Sequence, residues 1–337
     1  MTYSLNNEFL DSDQNKDSIR EGFGRGIVRA AEADERIVAL TADLTSSVGL
    51  GEFAEKFPNR FVQVGIAEQN LVTVASGMAH VGKIPYAASY AAFSPGRNWE
   101  QIRTTICLNN MPVKVVGSHA GVNVGPDGAT HQMLEDIALM RVLPRMVVIA
   151  PGDVVEAEKA AQVIAQDNRP TYIRLPREKS PVFLTDEHKF EIGKAYILRE
   201  GSDITIAATG TMTAQALIAA SDLEKQGIFA EIIHVPTIKP LDKEIILSSA
   251  QKTGCVFTVE EHQIAGGFGS TVMEILFDLR KDSLQGQTQQ EKSIKFHRIG
   301  INDEFGQSGT ADELLDYYGL TAKHIVAQTC KFMCNVL

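Results

Sequence analysis

From about Lys16 onwards, short apolar runs alternate with longer segments in which apolar and polar positions follow a helical period. The runs are typical of strands buried on both faces, and the longer segments have the period of roughly 3.6 residues of amphipathic helices. This alternation predicts an α/β protein with mostly parallel, doubly wound sheets. In the first half we predict strands at 37–43, 61–64, 83–89, 112–118, 145–150 and 170–175, and helices at 16–33, 71–82, 96–108, 130–141 and 153–166.

A second α/β unit follows residues 176–195, which are rich in proline and charge and carry no sustained period. Residues 281–293 are polar and are predicted to form a surface loop. The predicted strands are 203–210, 229–236, 255–261 and 294–300, and the predicted helices are 213–227, 242–254 and 266–280, with terminal helices beyond them.

These patterns divide the chain into four parts. We expect a flexible lead-in (1–15), a first doubly wound domain (16–176), a linker (177–192) and a second doubly wound domain (193–337).

Composition narrows the class of protein. A length of 337 residues with 44% hydrophobic and 22% charged residues is typical of a globular protein of two domains. The formal net charge of -10 argues against nucleic acid or an anionic membrane as the main partner and favours a small metabolite or another protein. The polar start of the chain has no apolar run of the signal-peptide or anchor type.

The four cysteines are scattered and form no disulfide framework, which favours a reducing cytoplasm. We expect Cys107 and Cys255 to be buried as small hydrophobes. Cys330 and Cys334 have no nearby histidines and make a poor metal site.

Nucleotide-binding signatures are weak. The glycines of 22–27 lie inside a helical pattern and follow no strand, so close helix packing explains them better than dinucleotide binding. Residues 266–270 follow a strand but lack the full glycine spacing, and the chain has no P-loop lysine motif.

An acid, Glu68, stands where the predicted strand 61–64 gives way to a helix. Clefts form at such ends of strands in α/β folds, although an acid in the first turn of a helix can also serve only as a cap.

A second group of polar residues follows the strand 112–118. His119 ends that strand, a glycine-rich loop follows it, and Asp127 and His131 come before the next predicted helix. These side chains could meet Glu68 at the carboxyl edge of the sheet. The alternative is that Asp127 is a turn residue ahead of Gly128 and that Thr130 caps the next helix.

Several motifs together resemble the pyrimidine-binding and C-terminal domains of transketolase, a family of thiamin diphosphate enzymes. They are TADLTSS, GIAEQN, SYAAFSPGRNWEQIR, the loop from Ser118 through GPDGATHQ, and TYIRLPRE. The resemblance covers nearly the whole chain from about Lys16. It implies ketol transfer, in which a two-carbon unit passes from a ketose to an aldose.

The resemblance assigns roles to individual residues. Glu68 matches the acid that bonds N1′ of the cofactor's aminopyrimidine, and Tyr90 and Phe93 match the aromatic wall that packs on that ring. Asp43 and Asp127 match acids near the cofactor and the sugar hydroxyls, and His131 matches a histidine at the C1 hydroxyl and carbonyl of the substrate.

At one position the chain departs from the pattern. Many relatives have a further aromatic residue where this chain has Gly96. Trp99 could fill that volume, or it could belong to the core.

A substrate phosphate is also implied. Arg20, Ser47, His119 and Arg177 match the family's phosphate cluster, with Arg174 as a competitor for the role of Arg177. Because guanidinium groups bind phosphate in a forked geometry, the cluster implies a sugar phosphate as substrate.

The resemblance also shows what the chain lacks. The family binds Mg²⁺ and the diphosphate through a G-D-G motif and a later asparagine, and no such pair is present. We therefore expect the C-terminal half of a split transketolase, with a separate subunit holding diphosphate and Mg²⁺. The family arrangement implies two copies of each chain around a homodimeric core built mainly by residues 193–337.

Three alternatives remain at this stage. 1-Deoxyxylulose-5-phosphate synthase also has a GIAEQ motif, although it places an arginine at the position of His119. The beta subunit of a 2-oxo acid dehydrogenase shares the split arrangement but generally lacks the histidine of the T-H-Q motif. A non-catalytic regulatory or scaffold subunit would keep the fold without turnover.

Overall fold

The computed structural model describes residues 5–10, 15–284 and 294–334, and its helices and strands alternate along the chain. The strands are β1 (Lys16–Asp17), β2 (Ile37–Thr41), β3 (Phe61–Gln63), β4 (Ile84–Tyr90), β5 (Lys114–Ser118), β6 (Val147–Ile149), β7 (Thr171–Arg174), β8 (Ser180–Pro181), β9 (Tyr196–Arg199), β10 (Ile204–Ala208), β11 (Ala230–His234), β12 (Thr237–Lys239), β13 (Cys255–Gln263) and β14 (Lys295–Ile301).

The α-helices are α1 (Ile19–Ala33), α2 (Gly51–Lys56), α3 (Glu68–His80), α4 (Trp99–Gln101), α5 (Asp136–Arg141), α6 (Val154–Gln166), α7 (Met212–Glu224), α8 (Lys243–Thr253), α9 (Phe268–Leu284), α10 (Ala311–Tyr317) and α11 (Ala322–Cys334). A π-helical segment, Ile102–Cys107, continues α4. Short 3₁₀ segments form at Asn7–Leu10, Pro58–Arg60 and Val122–Asp127.

The first sheet has seven strands in the order β12-β6-β7-β5-β4-β2-β3. All neighbours are parallel except β12, which runs antiparallel to β6. Helices α1 and α6 pack on one face, and α3, the π-helical segment and α5 pack on the other. The prediction of a doubly wound parallel sheet is confirmed.

The second sheet has five strands in the order β14-β13-β10-β11-β9, parallel except for β9. Helices α7 and α11 pack on one face, and α8 and α9 on the other. One apolar cluster joins the two sheets, since Val148 of β6, Ala207 of β10 and Ile238 of β12 belong to it. The two α/β units therefore share a core.

Glycines allow α1 to lie directly against its neighbours. Ser18 caps the helix by accepting a hydrogen bond from the N–H of Glu21. A Cβ on Gly26 would lie 2.3 Å from the carbonyl oxygen of Glu158 in α6, and one on Gly22 would lie 2.3 Å from that of Val154. The interpretation of these glycines as a close-packing feature is confirmed.

The N-terminal segment differs from the predicted flexible lead-in. Phe9 is buried and its ring centroid lies 6.0 Å from that of Phe183, while Leu5 forms a bridge with Leu184. Apolar side chains anchor residues 5–10, so the prediction is wrong for them. Residues 1–4 and 11–14 of the predicted lead-in lie outside the described residues.

Three further predictions need correction. Strand β3 is half-buried because it is the edge strand of its sheet. The helix predicted at 130–141 is reduced to α5, so Thr130 is not its cap. Helix α9 continues through Leu284 into the predicted loop, and residues 285–293 lie outside the described part.

Cys107 and Cys255 are buried, as predicted, whereas Cys334 is exposed. Within the described ranges, no cluster of three or more histidine, cysteine or acidic residues could hold a metal ion. None of the helices in the described part of the chain has the length and apolar character needed to cross a bilayer.

Candidate functional site

The site lies at the carboxyl edge of the first sheet. Strand β4 ends at Tyr90, and β5 ends at Ser118 with His119 directly after it. Because the two strands are parallel and paired up to Tyr90 and Ser118, their terminal side chains lie side by side. The backbone of His119 has a positive φ of 56°.

Four rings gather at this edge. The rings of Tyr90 and His119 are stacked with centroids 3.8 Å apart, and those of Tyr90 and Phe93 are stacked at 6.1 Å. His131 meets Phe93 edge to face at 5.3 Å and Tyr90 at 6.4 Å. Residues from β4, the turn after it, the end of β5 and the loop before α5 thus build one wall.

Glu68 is the first residue of α3 and is 2% exposed. Its Oε2 accepts a hydrogen bond from Nη1 of Arg97 at 2.8 Å. Asn98 donates from Nδ2 to the Glu68 carbonyl oxygen at 2.9 Å. Among the described residues, Arg97 is the one hydrogen-bond partner of the carboxylate, so helix capping does not account for its burial.

Two arginines pack together near His119. Arg20 donates to the carbonyl oxygen of Ser47 and, from Nη2, to that of Arg177 at 2.8 Å. Arg177 donates from Nη1 to the Val124 carbonyl at 2.6 Å and lies 3.6 Å from Oδ1 of Asp127. Arg177 also lies 3.6 Å from Oε1 of Glu178. Two positive charges on neighbouring segments can bind an anion.

Burial lowers the pKa of His119 to about 3, and the positive charges of Arg20 and Arg177 act in the same direction. Its Nδ1 lies 2.9 Å from the Ser118 hydroxyl. The imidazole is therefore neutral at physiological pH, with one nitrogen as donor and the other as acceptor. Burial also lowers the pKa of Arg20, and Arg177 contributes to that shift.

Arg174 has a different environment from Arg177. Its Nε donates to Oδ2 of Asp136 at 2.9 Å, and its Nη2 donates to the Glu261 carbonyl at 2.8 Å. The side chains of Arg174 and Asp136 are 8% and 0% exposed. Arg174 thus forms a buried ion pair within the first unit and bonds to the backbone of the second unit at Glu261, whereas Arg20 bonds to the backbone carbonyl of Arg177.

Three other predicted residues have contacts of their own. Asp43 is exposed, with a φ of 63°, and its N–H donates to Oε1 of Gln63 at 2.6 Å. Ser47 offers Arg20 its carbonyl oxygen, and Asp127 is partly exposed.

Gly96 has no room for an aromatic side chain, because a Cβ there would lie 2.1 Å from the carbonyl oxygen of Ala92. Trp99 packs against the core and donates from Nε1 to the Leu139 carbonyl at 2.8 Å.

The sequence alone did not identify the residues that hold the loop 121–132. Gln132 is buried and donates from Nε2 to the carbonyl oxygens of Gly125 at 3.1 Å and Gln307 at 2.9 Å. Asn123 accepts from the N–H groups of Arg177 and Glu178, and its own N–H donates to Oε1 of Glu261. Residues of the second unit therefore position the loop that carries Asp127. The adjacency of Gln132 to His131 was the one available signal.

Two family descriptions match the chain, the transketolase pyrimidine-binding domain over residues 15–182 and the transketolase C-terminal domain over residues 193–325. The chain belongs to the transketolase family. Within that family it corresponds to the C-terminal part, which is a separate chain in the relatives described next.

A transketolase C-terminal section predicted for Methanocaldococcus jannaschii is 43% identical over 94% of this chain and 96% of its own length. The 6-deoxy-6-sulfo-D-fructose transketolase subunit SqwH of Clostridium sp. is 40% identical over 91% of this chain and 92% of its own. A solved split-gene transketolase, an inactive β4 tetramer, is 42% identical with a TM-score of 0.83, and the match covers 93% of this chain and 97% of that one.

Proposed function

We propose that this chain is the C-terminal subunit of a split, thiamin diphosphate-dependent transketolase that transfers a two-carbon ketol unit from a ketose phosphate to an aldose phosphate. The observation that carries the proposal is the buried Glu68 carboxylate at a sheet edge lined by the rings of Phe93, Tyr90, His119 and His131. A carboxylate and an aromatic face are the two groups that the family uses to bind the cofactor's pyrimidine.

The residues of this chain fit the pyrimidine end of thiamin diphosphate. Glu68 would hold a proton at N1′ of that ring, Phe93 and Tyr90 would pack on its face, and Asp43 would lie nearby. The cofactor, when bound, supplies a thiazolium ring that stores the electrons of the cleaved carbon–carbon bond. Family members generally use this cofactor together with Mg²⁺, which is a hard cation that prefers oxygen ligands.

The substrate would lie against the histidines and arginines. His131 would hydrogen-bond the C1 hydroxyl and carbonyl region of the substrate, and His119 would hydrogen-bond its phosphate. Asp127 would lie at the sugar hydroxyls. Because His119 is neutral, the charge that neutralises the phosphate would come from Arg20 and Arg177. This arrangement supports a phosphorylated substrate.

A second subunit would complete the site. The chain has no G-D-G motif, and no metal-binding cluster occurs in the residues that the structure describes. We propose that the diphosphate and Mg²⁺ are held by an N-terminal transketolase subunit in an assembly of two copies of each chain, in the cytoplasm, with sugar phosphates as substrates. The proposed domain limits stay at 16–176 and 193–337.

The test is reconstitution of ketol transfer. The purified chain alone should be inactive, and addition of the partner subunit, thiamin diphosphate and Mg²⁺ should give transfer from xylulose 5-phosphate to an aldose phosphate. Glu68→Gln should abolish transfer without loss of folding, because the amide cannot exchange a proton with N1′. Glu52→Gln, which changes an exposed acid in the first turn of α2, is the matched control.

Several results would contradict the proposal. Full turnover by the isolated chain would refute the split arrangement, and a fully active Glu68→Gln complex would refute the role of Glu68. Formation of deoxyxylulose 5-phosphate from pyruvate and glyceraldehyde 3-phosphate would identify the synthase instead. Turnover only with a 2-oxo acid would indicate the dehydrogenase, and no turnover with any donor would favour a scaffold.

A further inference from the structure

Arg97 makes two contacts at the proposed cofactor site. Its Nη1 lies 2.8 Å from Oε2 of Glu68, and its guanidinium carbon lies 4.7 Å from the centroid of the Phe93 ring. The Arg97 side chain is 51% exposed, whereas that of Glu68 is 2% exposed. The guanidinium therefore covers the carboxylate from the solvent side.

These two contacts are the ones that the proposed function gives to the cofactor's pyrimidine. Both groups are planar and delocalised, both bond a carboxylate, and both stack on an aromatic face. The bond from Arg97 to Oε2 and its stack on Phe93 take up the groups that the pyrimidine would need.

The backbone around Arg97 is firmly held, so any rearrangement is confined to its side chain. Asn98 is fully buried and donates from Nδ2 to the Glu68 carbonyl at 2.9 Å and to the Ser94 hydroxyl at 3.1 Å. The N–H of Arg97 itself donates to the Phe93 carbonyl at 3.0 Å. Because the Arg97 side chain is half-exposed, its guanidinium is readily hydrated when it leaves, and the cost of the movement is the pairing that the buried Glu68 carboxylate loses until another group replaces it.

We propose that Arg97 competes with the cofactor's pyrimidine for Glu68 and Phe93, and that it has to swing into solvent before the ring binds. The inference rests on the proposed function. The competition lowers the apparent affinity for thiamin diphosphate, because only the fraction of molecules with Arg97 displaced is competent to bind. In return, Arg97 pairs with a buried carboxylate that would otherwise be left without a counter-charge.

The experiment is a calorimetric titration of thiamin diphosphate into the assembled complex at saturating Mg²⁺. Arg97→Met keeps the aliphatic stem and removes the competing cation, and it should bind the cofactor about three- to tenfold more tightly than the unmodified complex. Arg97→Lys keeps the charge but loses the planar stack, so it should show a smaller gain. Arg103→Met, which changes an exposed arginine in the π-helical segment after Arg97, should bind as the unmodified complex does.

Equal or weaker binding by Arg97→Met would overturn the inference, and weaker binding would make Arg97 a ligand of the cofactor. If the complex with Arg97→Met does not assemble, Arg97→Lys tests the inference instead. That complex has to bind thiamin diphosphate more tightly than the unmodified complex, and equal or weaker binding would overturn the inference. A complex that binds no thiamin diphosphate without any substitution would instead refute the proposed function. The gain from Arg97→Met should also shrink in a Glu68→Gln background, since the two residues act through one contact.

Discussion

Substitution of Arg174 and of Arg177 by methionine should separate a stabilising arginine from a binding arginine. Arg174 is the last residue of β7, and Arg177 lies in the segment after it. Both are candidates for the phosphate cluster. Methionine preserves much of the aliphatic volume while removing charge and hydrogen bonds. The two variants are therefore matched controls for each other.

The expected magnitudes follow from the contacts. Arg174→Met removes the 2.9 Å bond to Asp136 and the 2.8 Å bond to the Glu261 carbonyl, and it leaves the fully buried Asp136 with the Tyr172 hydroxyl as its remaining described partner. Breaking one side of a buried ion pair costs about 3–5 kcal/mol. Arg177 has a third of its side chain exposed and lies 3.6 Å from Asp127. Its loss removes one bond to the Val124 carbonyl but also the repulsion with Arg20, so Arg177→Met should cost less than about 1 kcal/mol.

Thermal unfolding of the purified chain measures this difference. A chain of 337 residues has an unfolding entropy of roughly 0.7 kcal/mol/K, so Arg174→Met should lower the midpoint by about 4–7 °C and Arg177→Met by less than about 1.5 °C. In the reconstituted enzyme, Arg177→Met should chiefly raise the KM for phosphorylated substrates and spare unphosphorylated ones.

Equal shifts in the two midpoints would refute the assignment of Arg174 to the buried pair. An equal loss of activity with phosphorylated and unphosphorylated substrates would reject the phosphate contact of Arg177. A selective rise in KM for Arg174→Met would transfer that role to Arg174.

Two further predictions concern packing and pH. Gly26→Ala should lower the free energy of unfolding by about 1–3 kcal/mol, because the new Cβ would press on the Glu158 carbonyl. Gly77 is exposed in α3 and no atom lies near the position of its Cβ, so Gly77→Ala should raise the free energy of unfolding by about 0.5–1 kcal/mol. Thermal unfolding measures both, and similar effects of the two substitutions would refute the packing argument. The folded-state pKa of His119 of about 3 lies below its unfolded value, so the unfolded chain binds the extra proton and stability falls as the pH drops from about 6.5 towards 3. Between pH 7 and 5, the free energy of unfolding of His119→Gln should fall by on the order of 1–2 kcal/mol less than that of the unmodified chain. An equal fall in both chains would contradict the burial of a neutral imidazole.

The apolar runs predicted the central parallel strands well because each run is buried on both faces, which fixes its composition. The strands that were missed, β1, β8, β9 and β12, have two to four residues and pair with distant segments. Strands this short carry little local pattern, and their tertiary partners determine them. The helix predicted from Thr130 is shorter because Gln132 bonds to the loop and to Gln307 instead of continuing a helix.

The sequence predicted which strand ends meet at the candidate site but not which side chains contact one another there. The ends of parallel strands meet at one edge, so the proximity of Tyr90 and His119 follows from the order of strands. The carbonyl of Ser47 at Arg20 and the pairing of Arg97 with Glu68 depend on side-chain conformations and on segments far apart in the chain. No spacing in the sequence indicates either of them.

Strand β12 has a practical consequence for anyone who would express the first α/β unit by itself. Thr237–Lys239 belongs to the second unit, yet it closes the outer edge of the first sheet by pairing with β6. A fragment that stops at the linker would leave the outer N–H and C=O groups of β6, on the side away from β7, without partners, and it would expose the apolar surface beneath Ile238 to solvent. Such a truncated product would self-associate through that open ladder, so a truncation experiment has to retain the chain at least through residue 239.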